Sequence, residues 1–249
     1  MSEGGAMAML EVENLSRAFG ALWAVNNVSF NVNEGEIVGL IGPNGSGKST
    51  VFHLITGLLK PNNGMIRYNG KDITKLKTYQ ISQAGIARTF QIVKPFSEMS
   101  TLKNVMVGRA FGSSPGHTME EIESDSQNLL TYTALSQKSS MMAGRLGLVY
   151  RKKLELARAL ATKPKLLLLD EVMAGLNPTE MMETVEFLKT IQKTGVTMIV
   201  VEHVIKALFS MVDRVVVLSA GEKIADGSPQ DIVCNEEVIR VYLGDYNYA

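Results

Sequence analysis

The 249-residue sequence contains a single cysteine, Cys234. One thiol closes no internal disulfide and has no second thiol with which to hold zinc, so the pattern fits a reducing compartment and a cytoplasmic location. Excess charge is missing too, since 25 basic side chains face 25 acidic ones and the formal net charge is zero. That balance removes the long-range attraction that makes nucleic acid or an anionic lipid surface a default partner; only a local basic patch could still matter. No uninterrupted apolar stretch approaches the roughly 18 to 20 residues that span a bilayer, and residues 1–10 lack the basic residues and long apolar region of a leader. The chain is expected neither to cross a membrane nor to be exported; at a membrane, something else must hold it. Aromatics are scarce at 6%, but 45% apolar and 20% charged residues make an ordinary globular composition. The length suits one domain with an appended subdomain better than two independent folds.

What is present alternates. Short β-branched apolar runs at 37–41, 166–169, 197–201 and 215–218 read as strands, and their continuous apolar character implies burial on both faces. Helical patterns follow Lys48 and Pro178 and begin at Val204, so a parallel-sheet α/β core is expected. Upstream, 10–15 and 24–32 look like strands, and Asn62-Asn63-Gly64 and Asn69-Gly70 mark hairpin-type turns, which predicts a small flanking antiparallel sheet. From about 101 to 162 the composition turns to Met, Ser, Glu and Gln at helical spacing, as in 119–135 and 151–161, and reads as an inserted helical subdomain. There is no internal repeat and only one phosphate loop, so one site per chain is expected.

That loop is Gly42-Pro43-Asn44-Gly45-Ser46-Gly47-Lys48-Ser49-Thr50, which fits G-x-x-x-x-G-K-[ST] directly after a buried strand and at the opening of a helix. Three glycines let successive backbone N–H groups turn inward as an anion nest, and the helix N-terminus adds its partial positive charge. Triphosphate oxygens satisfy both. Lys48 reaches the terminal phosphates as a point charge, and Ser49 supplies a hydroxyl to magnesium.

A second signal is the strand at 166–169 ending in Asp170-Glu171. Two carboxylates at a buried strand end are costly unless a cation is near. In parallel sheets ligands gather at the carboxyl ends of strands, which sets Asp170 for the magnesium shell and Glu171 for the attacking water. The strand at 197–202 ends in His203, which by the same rule points to the γ-phosphate region.

These residues, in this order, make the chain resemble the ATP-binding cassette of ABC transporters, from Leu10 to Gly244. The resemblance implies a P-loop NTPase (RecA-like) α/β fold: a core at 10–90 and 164–244 with a flanking antiparallel β subdomain, and a helical subdomain at 91–163. It puts Walker A on 42–50, the Q-loop glutamine on Gln91, Walker B on 166–170, the catalytic glutamate on Glu171 and the switch histidine on His203. Ser49, Gln91 and Asp170 are then the metal ligands, and ATP with Mg2+ the cofactors. Phe19 would be the adenine-stacking aromatic; a ring 29 residues before Lys48, after a polar turn, suits a purine face but could equally be core. Gln91 carries a competent magnesium oxygen, yet could be an ordinary polar residue at a strand end. Within the family, 86–91, 154–160, 174–178 and 238–244 look most like the ATPase subunits of branched-chain amino acid importers and their relatives for urea or amides.

The family's LSGGQ loop falls on Leu146-Gly147-Leu148-Val149-Tyr150, where the serine and both glycines of that pattern are gone. In the family this loop covers the γ-phosphate of the partner chain, so its loss weakens the partner's site. Pairing with a related chain that carries an intact loop is therefore favoured over a homodimer. Arg151, Lys152 and Lys153 follow, at a helix start that disfavours cations; an anion opposite would relieve them, or they form a solvated basic turn. Val172 stands where a proline usually follows the glutamate, and Asn177 where the D-loop usually has aspartate. Phe90, Phe96 and Met99 offer an adaptable apolar surface to integral membrane permease subunits, or pack the subdomain. The reading is an ATP-hydrolysing subunit, peripheral on the inner face of the cell membrane, of an importer whose cargo the cassette never touches. No nucleic acid partner is expected. Its rivals are a soluble ABC-type ATPase, for which the 122-residue span from Lys48 to Asp170 leaves no room for a long coiled-coil arm, and a nucleotide-binding regulatory module with little turnover.

Overall fold

The computed structural model describes residues 8–90, 94–116 and 118–243. Along the chain run β1 (Leu10–Phe19), β2 (Leu22–Val32), β3 (Ile37–Ile41), α1 (Lys48–Ile55), β4 (Asn63–Tyr68), β5 (Lys71–Asp72), α2 (Thr78–Gln83) and β6 (Ile86–Arg88). There follow α3 (Thr101–Phe111), α4 (Met119–Tyr132), α5 (Leu148–Ala161), β7 (Leu166–Asp170), α6 (Pro178–Lys193), β8 (Thr197–Val201), α7 (Ile205–Phe209), β9 (Arg214–Ser219), β10 (Glu222–Gly227), α8 (Pro229–Val233) and α9 (Glu236–Leu243). They divide into two compact units, Met1–Thr78 with Asn177–Ala249, and Tyr79–Leu176.

The first unit holds two sheets. In one, β2, β1, β4 and β5 lie in that order and all pairs are antiparallel. In the other, β3 is parallel to both β8 and β9, and β10 closes the edge antiparallel to β9. Every residue of β3 and β8 is buried, which is why these strands read as unbroken apolar runs rather than alternations. Helix α1 adds Val51, Phe52, Leu54 and Ile55 to the core. Helix α6 starts with Pro178 in its first turn and a reciprocal cap: Asn177 Oδ1 accepts from Glu180 N at 3.0 Å, and Asn177 N donates to Glu180 Oε2 at 2.9 Å. Two otherwise unpaired helix-end groups are satisfied this way, and the proline presets the first turn.

Two expectations about the antiparallel sheet need correction. Strands β1 and β2 run longer than the 10–15 and 24–32 read from the sequence and meet at a two-residue turn. Register shifts between Val12 and Ala18 interrupt the alternation, with Asn14 and Asn27 at positive φ, so the period-2 signal stops while the pairing continues. Asn63-Gly64 is not a turn: it opens β4, and a Cβ on Gly64 would lie 2.5 Å from the carbonyl oxygens of both Glu13 and Asn14. Glycine is there for close backbone approach. Asn69-Gly70 does turn, between β4 and β5, with φ of +48° and +71° as a tight primed hairpin requires.

The second unit is helical around α3, α4 and α5, whose buried residues Val105, Leu130, Leu154, Ala157 and Ala161 form one cluster. Arg109, fully buried, bonds Asp125 at 2.7 Å and Glu121 at 2.9 Å, which offsets the desolvation of its guanidinium. The unit also contains the parallel pair β6 and β7, registered Ile86 to Leu166 and Arg88 to Leu168. At three residues, β6 is too short to leave a periodic signal.

Candidate nucleotide site

In the first unit the phosphate loop leaves the end of β3. Gly42, Gly45 and Gly47 have φ of +151°, +80° and +104°, a region that side chains with a Cβ rarely adopt. At two of them space is also lacking: a Cβ on Gly42 would lie 2.1 Å from Leu218 O, and one on Gly47 2.4 Å from Ala24 O. Gly47 caps α1 without a side-chain bond, so the first amides of the helix stay turned toward the loop as an anion site requires. Lys48 is buried, and its Nζ donates to the carbonyls of Gly42 at 2.8 Å and Pro43 at 2.9 Å. These bonds hold the ammonium inside the loop. Asn44, Gly45 and Ser49 are exposed, Pro43 and Thr50 half-buried and Ser46 buried.

His203 belongs to the same unit. Because Gly39 pairs with Val200 in the parallel register of β3 and β8, the chain after Val201 leaves the sheet at the level where the loop after Ile41 begins. Glu202 is buried and His203 exposed. Phe19 is the last residue of β1, before its turn rather than after one, and is 47% exposed with the Arg17 guanidinium 5.0 Å over its ring. It is not a core residue. Tyr242, on α9, was not anticipated: burial pushes its hydroxyl pKa up, and a hydrogen bond from the Gly42 backbone opposes that shift. The C-terminal helix therefore touches the first glycine of the loop.

In the second unit Asp170 ends β7 and Glu171 follows it. Asp170 is buried, and the cation demanded by its burial is Arg88, whose Nη2 lies 2.7 Å from Oδ2 with both side chains almost fully enclosed. Thr89 completes the anchorage, donating its N–H to Leu168 O at 2.9 Å and accepting from Asp170 N at 3.0 Å. Glu171 is half-buried at φ +52°, a left-handed backbone that costs a non-glycine residue roughly 1–3 kcal/mol and persists only when its surroundings impose it. Around it, Lys152 donates to Glu171 O at 2.9 Å and Val172 O at 3.1 Å, and Ala174 N donates to Glu171 O at 3.2 Å. Arg151 likewise donates to Gly144 O at 2.8 Å. Two of the three cations at the start of α5, Arg151 and Lys152, thus bond backbone carbonyls. Val172 is buried, and Asn177 acts as the cap of α6.

The loop at 146–150 opens α5 with Gly147 as an N-cap that has no side-chain bond. Leu146 is buried in the helical cluster, while Leu148 and Tyr150 are exposed. Phe90, Phe96 and Met99 are exposed as well, with the Arg88 guanidinium 5.2 Å over the Phe90 ring and the Arg158 guanidinium 4.8 Å over the Phe96 ring. Gln91 lies outside the described residues. Besides Tyr242, the sequence reading missed Arg88, Lys152 and Glu155 as supports of the site. All three sit within or beside runs already singled out, but nothing in local spacing names their partners.

The family comparison agrees with this geometry. Residues 25–174 match the ABC transporter family, and residues 222–246 match the branched-chain amino acid ATP-binding cassette transporter family. The chain belongs to the ABC transporter family, as one of its ATP-binding cassettes, with the mixed α/β fold of that class and the ATPase activity coupled to transport that characterises it. Among its relatives is the high-affinity branched-chain amino acid transport ATP-binding protein BraF of Pseudomonas aeruginosa, 36% identical over 95% of this chain and 98% of that one. LivG of Salmonella typhimurium, of the same description, is also 36% identical, with the same coverage. A crystal structure of a nucleotide-free ATP-binding cassette from an ABC transporter superposes with a TM-score of 0.87 at 31% identity, covering 96% of this chain and 100% of the other. The transporter reading thus holds over the soluble ATPase and the regulatory module. No helix among the described residues is long and apolar enough to cross a membrane.

Proposed function

We propose that the chain binds ATP at the 42–50 loop and hydrolyses it to drive a membrane importer for branched-chain amino acids, the solutes in its relatives' names. The observation that carries this is the loop itself: three left-handed glycines, two of which no Cβ could replace, around a buried lysine held by loop carbonyls. In this reading the loop amides and Lys48 grip the β- and γ-phosphates. Glu171 orients or deprotonates the attacking water, His203 contacts the γ-phosphate, and the exposed Phe19 ring stacks on adenine.

Magnesium fits the donor set. Among the described residues no three His, Cys, Asp or Glu side chains cluster as a metal cage, and Mg2+ bound with nucleotide needs only one or two protein oxygens beside the phosphates. Ser49, Asp170 and Gln91 would hold it, where it would neutralise phosphate charge.

The ATPase core comprises 10–90 and 164–244 in this reading, and 91–163 the helical subdomain. The exposed Phe90, Phe96 and Met99 meet the permease subunits, which hold the chain at the inner face of the membrane. Because 146–150 lacks the signature serine, the second ATP-binding subunit is a related chain with an intact loop; homodimers with two fully active sites would overturn that part.

The test is Glu171→Gln in the full-length protein. ATP hydrolysis falls by about 100-fold or more, the contribution of a positioned base, while a fluorescent ATP analogue still binds. Full turnover in the variant, or a parent protein that ignores nucleotide, overturns the reading.

A further inference from the structure

The end of β1 is held from the segment that follows α1. Ala18 N donates to Asn62 Oδ1 at 2.9 Å, and Asn62 N donates to Ser16 O at 2.8 Å. Arg17 Nη1 donates to Lys60 O at 3.0 Å, and the same guanidinium lies 5.0 Å over the Phe19 ring. Arg17 Nε is enclosed and makes no hydrogen bond, so the cation is partly out of water, where its attraction to an aromatic face is strongest. Phe19 nevertheless keeps 47% of its surface exposed, and Leu22, its partner across the hairpin, 70%. One face of the ring is backed by a cation, and the other is open.

The same hairpin abuts the phosphate loop. Arg17 pairs with Val25 and Ala18 with Trp23, so Ala24 is the extra residue of a bulge, a device that re-aims the backbone. Its carbonyl oxygen is the atom that a Cβ on Gly47 would meet at 2.4 Å, and the Val25 side chain lies 3.4 Å from the same point. Leu22, opposite Phe19, is two residues of strand from that carbonyl, about 7 Å. The helix that opens with Lys48 leads on to Lys60 and Asn62, so the ring is tied to the loop along α1 as well as along β2. We propose that Arg17 is a positioning residue for the nucleotide base: anchored on Lys60 O, it clamps one face of Phe19, so that the other face stands at a fixed reach from the 42–50 loop for a purine to stack on. It acts through the ring and touches no part of the nucleotide; a platform set beforehand spares the ordering cost that binding would otherwise carry. The proposal rests on the reading of Phe19 given above and adds to it the residue that sets the ring, and with it the preference for a triphosphate that bears a base.

The test measures dissociation constants for ATP and for inorganic tripolyphosphate by calorimetry, on the full chain and on Arg17→Met, Arg17→Lys, Phe19→Ala and the variant carrying both Arg17→Met and Phe19→Ala. Arg17→Met weakens ATP by about 3- to 10-fold, the worth of a cation over a ring, and leaves tripolyphosphate unchanged, because only the seat of the base is disturbed. Arg17→Lys, which keeps a cation and a donor, recovers part of the loss. Phe19→Ala weakens ATP by roughly 5-fold or more, the loss of one base–aromatic stack. In that background Arg17→Met costs nothing further, since the two side chains act as a unit. ATP affinity in Arg17→Met equal to or tighter than that of the parent, a tripolyphosphate affinity that falls in step with it, or additive losses in the double variant overturns the proposal and leaves Phe19 its role. Unchanged ATP affinity in Phe19→Ala removes the reading on which the proposal rests, and the proposal with it.

Discussion

The phosphate loop and the carboxylate corner at the end of β7 each hold a charge in a buried setting, by opposite means. At the loop, Lys48 bonds carbonyls five and six positions away in the sequence. At the corner, Asp170 is held by Arg88 from 82 positions away, Phe90 by Glu155 from 65, and Glu171 by Lys152 from 19. A site built from near neighbours takes shape wherever its strand and helix form. One built from distant partners is only as well placed as the packing of its unit, and can be moved by whatever moves that packing. Nucleotide capture needs the first kind of site, whereas regulated hydrolysis is served by the second.

The contrast is broken most forcefully at Arg88. Arg88→Met leaves Asp170 buried without its cation, so the folded state loses about 3–5 kcal/mol, the usual consequence of removing one member of a buried pair. Urea unfolding measures this. Adding Asp170→Asn recovers much of the loss, because no uncompensated charge is then buried. An unfolding midpoint in Arg88→Met equal to that of the parent would mean that the corner is as self-contained as the loop.

A smaller effect is expected at Lys48, and of a different kind. Lys48→Met removes a charged donor from the phosphates, worth about 1.5–3 kcal/mol, or roughly 10- to 150-fold in ATP affinity. Its unfolding midpoint is expected to shift far less than that of Arg88→Met, since the groups it bonds, the Gly42 and Pro43 carbonyls, are neutral and leave no uncompensated buried charge. Titration with a fluorescent ATP analogue beside the same urea series separates the two.

Legibility follows the same division. Gly42 to Thr50, β3 and β8 could be read directly, because glycine conformation, complete strand burial and helix opening are local consequences of local residues. His203 followed from β8, since a parallel register fixes where neighbouring strands end. Strand β6 is legible only as a strand end before Gln91, because three residues carry no period, and β1 only as far as Leu15, because bulges reset its alternation. The demand for a cation beside Asp170 was legible from burial alone, but its identity was not, because nothing near Asp170 in sequence specifies Arg88. The turn beside Phe19 follows it rather than precedes it, because the Phe19–Leu22 pair closes the hairpin over residues 20–21.

The finest distinction concerns pH. Burial raises the Glu155 carboxyl above its ordinary value of 4.5, and the Phe90 N–H bond and the charges of Arg158 and Lys152 only partly oppose it; Asp170 pushes in the same direction as burial. The folded state therefore holds this proton more tightly than the unfolded chain does. Its contribution to stability is fully present below pH 4.5 and is lost as pH rises through the folded value. Glu155→Gln cannot titrate but can still accept from Phe90 N. Its stability relative to the parent thus improves as pH climbs through that window and is level above it, a small difference best seen in urea midpoints taken across the acidic range. The loop at 42–50 contains no carboxylate. Lys48→Met is therefore expected to follow the pH profile of the parent across the acidic range, and a matching shift there would erase the difference between the two regions.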